Sequence, residues 1–217
     1  ASLLPLASLA WDAWHDNLTA NPIQAATQRS GDYAILLLLL SLTCTPLHTL
    51  TGFSPLLKWR RPLGLYAFLY ASIHLFIFTG LDYGFDWLLL WQEIAEKPYV
   101  IVGLSTFLIL LPMAFTSYNY WKKALKKNWK RLHRLVYLAG ILAVIHLAWV
   151  VKGDILILQG DIWKPLLAGI TLTLMLAARL PFVRRNLQAL RMRLRRRHSP
   201  PAAALQQKAV ESGSNDG

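Results

Sequence analysis

The sequence is poor in cysteine, since Cys44 is the only one among 217 residues. A single thiol excludes an internal disulfide, a zinc site built from several cysteines, an iron–sulfur cluster held by four thiolates and a C-x-x-C-H attachment motif. The sequence also lacks G-x-G-x-x-G, a P-loop, H-E-x-x-H and a Ser/His/Asp arrangement. We therefore expect no soluble nucleotide-binding domain and no hydrolytic site in this chain.

Charged residues are scarce as well, at 16%, and long apolar blocks take their place. Blocks of about 17 to 20 nearly uncharged residues predict membrane-spanning helices. Five full spans are predicted, at about 33–51, 63–81, 98–116, 133–151 and 163–181. The predicted fold is an all-α, polytopic transmembrane helical bundle, and no internal repeat is visible.

Three regions follow from these blocks. The apolar segment 1–11 is too short to cross a membrane, so we interpret 1–30 as a truncated first span with a periplasmic loop. The alternative for the segment is the end of a signal peptide. Residues 31–181 form the transmembrane domain, and 182–217 form a basic cytoplasmic tail with a disordered end.

The net charge of +12 is confined to a few segments between the apolar blocks. Because no nucleic-acid motif accompanies these segments, we exclude nucleic acid as a partner and expect anionic membrane lipid instead. Lysines and arginines stay on the cytoplasmic side, which predicts a multi-pass protein of a bacterial inner membrane with a cytoplasmic C-terminus. The following 19 of the 23 basic residues define that side: Lys58, Arg60, Arg61, Lys122, Lys123, Lys126, Lys127, Lys130, Arg131, Arg134, Arg179, Arg184, Arg185, Arg191, Arg193, Arg195, Arg196, Arg197 and Lys208.

Two of the six histidines, His74 and His146, lie inside apolar blocks. Ionisable groups within lipid are costly and usually face a functional interior. Both predicted helices run from inside to outside, and at 1.5 Å per residue the two depths differ by about 3 Å. Two imidazoles at matched depth can occupy the two axial positions of a b-type heme iron. The alternative is a neutral histidine that hydrogen-bonds to a neighbouring helix.

His133 lies at the basic boundary of the fourth predicted span, 13 residues before His146. A second heme stacked on the first would need such a spacing, but the corresponding position on the helix of His74 is Arg61. His48 is the other candidate partner. His133 could instead contact a heme propionate, a second cofactor or a phospholipid, or have no function. His15 and His198 lie outside the spans, and no role is assigned to them.

Several segments of 31–180 together resemble a known family. They are Thr45-Pro46-Leu47; Arg60-Arg61-Pro62-Leu63-Gly64-Leu65 followed by Phe68, Tyr70 and His74; Lys97-Pro98-Tyr99 with Gly103; Pro112-Met113-Ala114-Phe115-Thr116-Ser117; and Trp129, Leu132-His133, Tyr137 and His146. In order and spacing they are similar to the heme-binding membrane subunits of periplasmic protein-methionine-sulfoxide reductase systems, within the ferric-reductase-like transmembrane family. Lys126-Lys127 departs from the family, which more usually has Leu-Gly there.

This resemblance implies a heme b with His74 and His146 as axial ligands of the iron, and His133 as a further heme-associated residue. It also implies FMN as a cofactor, and electrons from the quinone pool or a cytoplasmic flavin reductase. The acceptor would be a periplasmic molybdopterin methionine sulfoxide reductase that repairs oxidised proteins. The chain would then be a cytochrome b electron-transfer subunit rather than the catalytic subunit.

Two other functions remain open from the sequence. The first is a ferric or superoxide-generating transmembrane reductase, which would pass electrons to a small acceptor. The second is a non-redox transporter whose histidines bind a metal ion or relay protons. Few other polar residues lie within the spans to line such a pathway.

Overall fold

The computed structural model describes residue 11 and residues 21–151, 153–154, 159–160 and 162–198. The expectations for the segment before residue 11 and for the tail from residue 199 lie outside these residues. The described chain is a bundle of helices, which confirms the predicted all-α polytopic fold.

The helices follow one another with short connections. In chain order they are α1 (Pro22–Thr51), α2 (Pro55–Phe76), a π-helical segment (Ile77–Asp82), α3 (Trp87–Glu96), α4 (Pro98–Phe115), α5 (Asn119–Leu132), a 3₁₀ turn (His133–Leu135), α6 (Val136–Val150), α7 (Trp163–Ala177) and α8 (Pro181–His198). Between α6 and α7, the strands β1 (Gly153–Asp154) and β2 (Gln159–Gly160) pair antiparallel.

Four helical stretches in the described part of the chain are long and apolar enough to cross a membrane. They are Pro22–Thr51, Pro55–Asp82, Pro98–Phe115 and Asn119–Val150. The fifth predicted span corresponds to α7, whose 15 residues rise about 22 Å, less than the roughly 30 Å of a bilayer core. It reaches spanning length only together with Pro181–Ala189, from which it is bent by 81°.

Helix α1 starts well before the predicted position of about residue 33. The Asn21 side chain caps the helix by accepting a hydrogen bond from the Gln24 N–H at 3.2 Å, and Pro22 occupies the first turn. The polar residues of the early turns fall outside an apolar window, so the hydropathy pattern could not reveal them. Within α1, Asp32 pairs with Lys164 of α7 at 2.7 Å.

Two helices in the connections were not predicted. Helix α3 follows the π-helical segment, and helix α5 forms the basic connection between α4 and α6. Within α5 the backbone of Lys126 has φ 46° and ψ −114°, a conformation that glycine adopts more easily than lysine.

The bundle is built on two helix pairs: α1 packs along α2, which we call the first pair, and α4 packs along α6, which we call the second pair. Ala67 of α2 and Ala139 of α6 are 1% and 0% exposed, so small residues stand where helix backbones come closest. Tyr70 is buried as well, with its ring 5.6 Å from that of Tyr33. Tyr70 of α2 thus contributes to packing within the first pair.

Helix α7 is tied to both pairs through Arg179, which follows it in the chain. The guanidinium donates to the Leu42 carbonyl of α1 at 2.8 Å and to the Tyr137 hydroxyl of α6, and it lies 4.8 Å from the centre of the Tyr137 ring. Pro46 lies four residues after Leu42 inside α1 and has no N–H to donate to that carbonyl. Arg179 therefore supplies the hydrogen bond that the proline removes.

Candidate paired-histidine site

His74 lies near the end of α2 and is held by the other helix of the first pair. Its Nδ1 lies 2.8 Å from the carbonyl oxygen of Thr27 in α1. Because a carbonyl oxygen only accepts, Nδ1 carries the proton and donates it to Thr27. Nε2 is then left with a free lone pair, which is the form of imidazole that binds a metal.

His146 lies in α6 and is held in the same way within the second pair. Its Nδ1 donates to the carbonyl oxygen of Tyr99 in α4 at 2.8 Å. In each pair the accepting residue precedes its histidine by 47 positions. The same reasoning therefore assigns the proton to Nδ1 of His146 and the lone pair to Nε2.

The two imidazoles, which we call the imidazole pair, face each other between the helix pairs. Their ring centres are 6.2 Å apart and their planes are inclined at 85°. Two metal–nitrogen bonds of about 2 Å, plus the distance from each nitrogen to its ring centre, give a separation of about 6 Å. The distance between the ring centres therefore matches that of two imidazoles bound to one metal ion.

Further protein ligands are lacking near the imidazole pair in the part of the chain that the structure describes. Among the described residues no group of three or more His, Cys, Asp or Glu could hold a metal ion. A heme needs only two axial ligands from the protein, because its porphyrin provides the other four nitrogens. The donor set of this site consequently suits a heme better than a bare metal ion.

A glycine lies against each ring, on the helix that also provides the accepting carbonyl. They are Gly31 of α1 beside His74 and Gly103 of α4 beside His146. The same separation along the chain relates Thr27 to Tyr99, Gly31 to Gly103 and His74 to His146, so the two half-sites repeat one design. The sequence alone does not reveal this repeat, because it consists of isolated residues and backbone carbonyls.

His133 lies apart from the imidazole pair, in the 3₁₀ turn at the basic end of α6. Its ring stacks on Trp129 at 4.1 Å and its Nδ1 is 3.1 Å from the Trp129 carbonyl oxygen. Trp129 in turn donates from Nε1 to the Thr116 carbonyl at 2.9 Å. The structure thus anchors His133 between α4 and α5, while its predicted role with heme stays a prediction. His48 is half-buried near the end of α1.

A polar network joins α3 to α4, at the end of the bundle opposite His133. Glu93 forms an ion pair with Lys97, and Tyr83 hydrogen-bonds to Glu93. The hydrogen bond to Lys97 lowers the pKa of Glu93, and the same bond raises the pKa of Lys97. Burial, together with the contact to Glu93, raises the pKa of Tyr83. Lys97 precedes Pro98 and Tyr99, so this network steadies the segment that holds His146.

The sequence of this chain is similar to those of known proteins. Residues 30–152, which include Gly31, His74, Gly103, His133 and His146, match the family of the ferric reductase like transmembrane component. The protein-methionine-sulfoxide reductase heme-binding subunit MsrQ of Xanthomonas campestris pv. campestris (strain 8004) is 43% identical over 185 residues, 77% of this chain and 85% of that protein.

Two further relatives carry the same description. The MsrQ subunit of Xanthomonas euvesicatoria pv. vesicatoria (strain 85-10) is 41% identical over 208 residues, 93% of this chain and 91% of that protein. That of Bordetella pertussis (strain Tohama I) is 38% identical over 179 residues, 82% of this chain and 84% of that protein. No solved structure matches the chain.

Proposed function

Because the chain belongs to the ferric reductase-like transmembrane family, we propose that it transfers electrons across a bacterial inner membrane through a b-type heme. The observation that carries the proposal is the imidazole pair, 6.2 Å between ring centres, with both Nδ1 atoms engaged by backbone carbonyls. Both Nε2 atoms are thereby left for one iron between the two helix pairs.

In this proposal His74 and His146 are the axial ligands. A bound heme supplies a one-electron carrier within a layer that water-soluble carriers cannot enter. The Thr27 and Tyr99 carbonyls keep each imidazole neutral and oriented, and such outer hydrogen bonds also increase the basicity of a ligating histidine. On the strength of the resemblance, the proposal includes His133 as a further heme-associated residue and FMN as a second cofactor.

The charge distribution and the names of the relatives support one direction of electron transfer. With the basic segments and the C-terminus in the cytoplasm, electrons would enter from the quinone pool or a cytoplasmic flavin reductase. The relatives are described as heme-binding subunits of protein-methionine-sulfoxide reductases. We propose that this chain likewise serves a periplasmic molybdopterin enzyme that reduces methionine sulfoxide in oxidised proteins, and that it is not the catalytic subunit.

Absorption spectroscopy of the purified full chain tests the heme. We expect sharp cytochrome b bands in the reduced-minus-oxidised spectrum. His74→Ala and His146→Ala should each lose most of the heme because one axial ligand disappears, and His133→Ala should retain at least part of it. Equal heme content in wild type and all these variants would show that the ligands are assigned wrongly.

A second measurement separates the proposed partner from a small acceptor. The dithionite-reduced protein is mixed with a purified periplasmic methionine sulfoxide reductase or with a ferric chelate, and heme reoxidation is followed. Fast reoxidation by the enzyme with its sulfoxide substrate supports the proposed role. Fast reoxidation by ferric chelate alone would favour a ferric reductase, and bound zinc or copper in place of heme would favour a transporter.

A further inference from the structure

The two glycines beside the imidazole pair approach their rings more closely than any side chain could. A methyl group placed on Gly103 would lie 2.7 Å from Cε1 and 2.9 Å from Nδ1 of His146. On Gly31 it would lie 3.1 Å from Nδ1 and 3.2 Å from Cε1 of His74. Each ring therefore rests directly on the backbone of the neighbouring helix.

Glycine is a poor residue for the interior of a helix, since it leaves the unfolded backbone unusually free. A chain that places it there twice, each time against a candidate ligand, gives up local helix stability for close contact. Gly169 of α7 offers a comparison, because a methyl group there would lie 3.7 Å from Val144 in ordinary contact. Gly80 and Gly140 also have close neighbours, Phe85 at 2.8 Å and Leu172 at 3.2 Å, but at Gly31 and Gly103 the close neighbour is the ring of a candidate ligand.

The carbonyl and the glycine restrain different motions of each ring. The hydrogen bond from Nδ1 fixes one edge of the imidazole but still permits the ring to tilt about that edge. Gly31 and Gly103 lie one helical turn beyond Thr27 and Tyr99, on the same helices, and their backbones limit that tilt. Position and plane are therefore both set by protein contacts.

We propose that Gly31 and Gly103 are positioning residues, which hold the planes of the two axial imidazoles nearly perpendicular. The two ring planes are inclined at 85° in the structure. This inference rests on the proposed function, because it concerns the same heme. It adds that the ligand angle is determined by two glycines on the helices that face the histidines, and not by the histidines' own helices alone.

The angle has a spectroscopic signature. Each axial imidazole interacts through its π-system with the iron d orbital that lies perpendicular to the ring plane. Perpendicular rings affect both such orbitals equally and leave them nearly degenerate, whereas parallel rings separate them. A ferric heme with perpendicular ligands consequently gives a strongly anisotropic low-spin EPR spectrum with a large first g value, and one with parallel ligands gives an ordinary rhombic spectrum.

The experiment compares wild type with Gly31→Ala, Gly103→Ala and the control Gly169→Ala, each purified as the full chain with heme. Heme content, the ferric EPR spectrum and the reduction potential are measured. We expect the strongly anisotropic signal in wild type and in Gly169→Ala. Gly103→Ala should lose most of that signal, and Gly31→Ala should shift it less, because its contact is looser by a few tenths of an ångström.

Each outcome decides one statement. Heme in wild type with the wild-type spectrum and potential in both Gly31→Ala and Gly103→Ala would overturn the positioning role and leave the proposed function standing. A rhombic wild-type spectrum would overturn the perpendicular arrangement. Absence of heme in wild type would refute the proposed function, and the inference with it. If Gly103→Ala fails to fold, the milder Gly31→Ala variant decides the result.

Discussion

The contact between Arg179 and Leu42 leads to a prediction about the stability of the bundle. Pro46 deprives the Leu42 carbonyl of its helical donor, and Arg179 donates to that carbonyl at 2.8 Å. Arg179→Met keeps a long side chain but removes the donor and the charge above the Tyr137 ring. Pro46→Ala restores an N–H at residue 46, which can then bond to Leu42 within the helix.

The magnitude follows from these interactions. A hydrogen bond from a charged donor contributes about 1.5–3 kcal/mol, and a cation over a tyrosine ring adds about 0.5–1 kcal/mol. Part of this is offset because methionine is easier to bury than a guanidinium, so we expect Arg179→Met to cost about 2 kcal/mol. In the Pro46→Ala background the carbonyl has a helical donor, and the same substitution should cost about 1 kcal/mol less.

The assay is a double-mutant cycle on the purified protein, with unfolding in mixed detergent micelles followed by circular dichroism. Wild type, the two single variants and the double variant are compared at the same detergent composition. The double variant should be less destabilised than the sum of the two single variants, by about 1 kcal/mol. Strictly additive effects would refute the idea that the arginine replaces the hydrogen bond lost at the proline, whatever the absolute cost of either substitution.

Two further predictions concern the connections. Lys126→Gly should raise the free energy of unfolding by about 1 kcal/mol, because glycine adopts φ 46° and ψ −114° without the strain that lysine incurs. The unfolding midpoint should therefore rise, and an unchanged or lower midpoint would contradict the prediction. Lys127→Gly is the control. The lowered pKa of Glu93 means that its pairing with Lys97 stabilises the folded state at neutral pH and is lost as the pH falls through that pKa. The unfolding midpoint of Glu93→Gln should therefore decrease less than that of wild type between neutral and acidic pH. The difference corresponds to about 0.5 kcal/mol, because one partner of the pair is exposed. An identical pH profile in wild type and variant would refute this prediction.

Much of the site could be anticipated because depth in a membrane is nearly a count of residues. The sequence predicts His74 and His146 on helices of the same direction and at similar depths, and straight helices then bring them to one level. The structure brings their rings together as that arithmetic predicts. Their apolar surroundings also identified them, since an ionisable residue in such a block is rare.

Other parts could not be read from the pattern. The acceptors at Thr27 and Tyr99 are backbone carbonyls, and every residue has one, so no side-chain motif marks them. Gly31 and Gly103 are conspicuous only when the partner ring is known. The link between Arg179 and Leu42 joins distant segments, and the early start of α1 depends on a polar cap that hydropathy ignores.

The order of the two half-sites along the chain bears on how the protein is made. Thr27 and His74 belong to one hairpin, which leaves the ribosome before the hairpin that contains Tyr99 and His146 is complete. Each imidazole can thus be fastened to its own hairpin during insertion, with no contribution from the other. Binding of the proposed heme would then come late, after both hairpins have been inserted and have each oriented one imidazole.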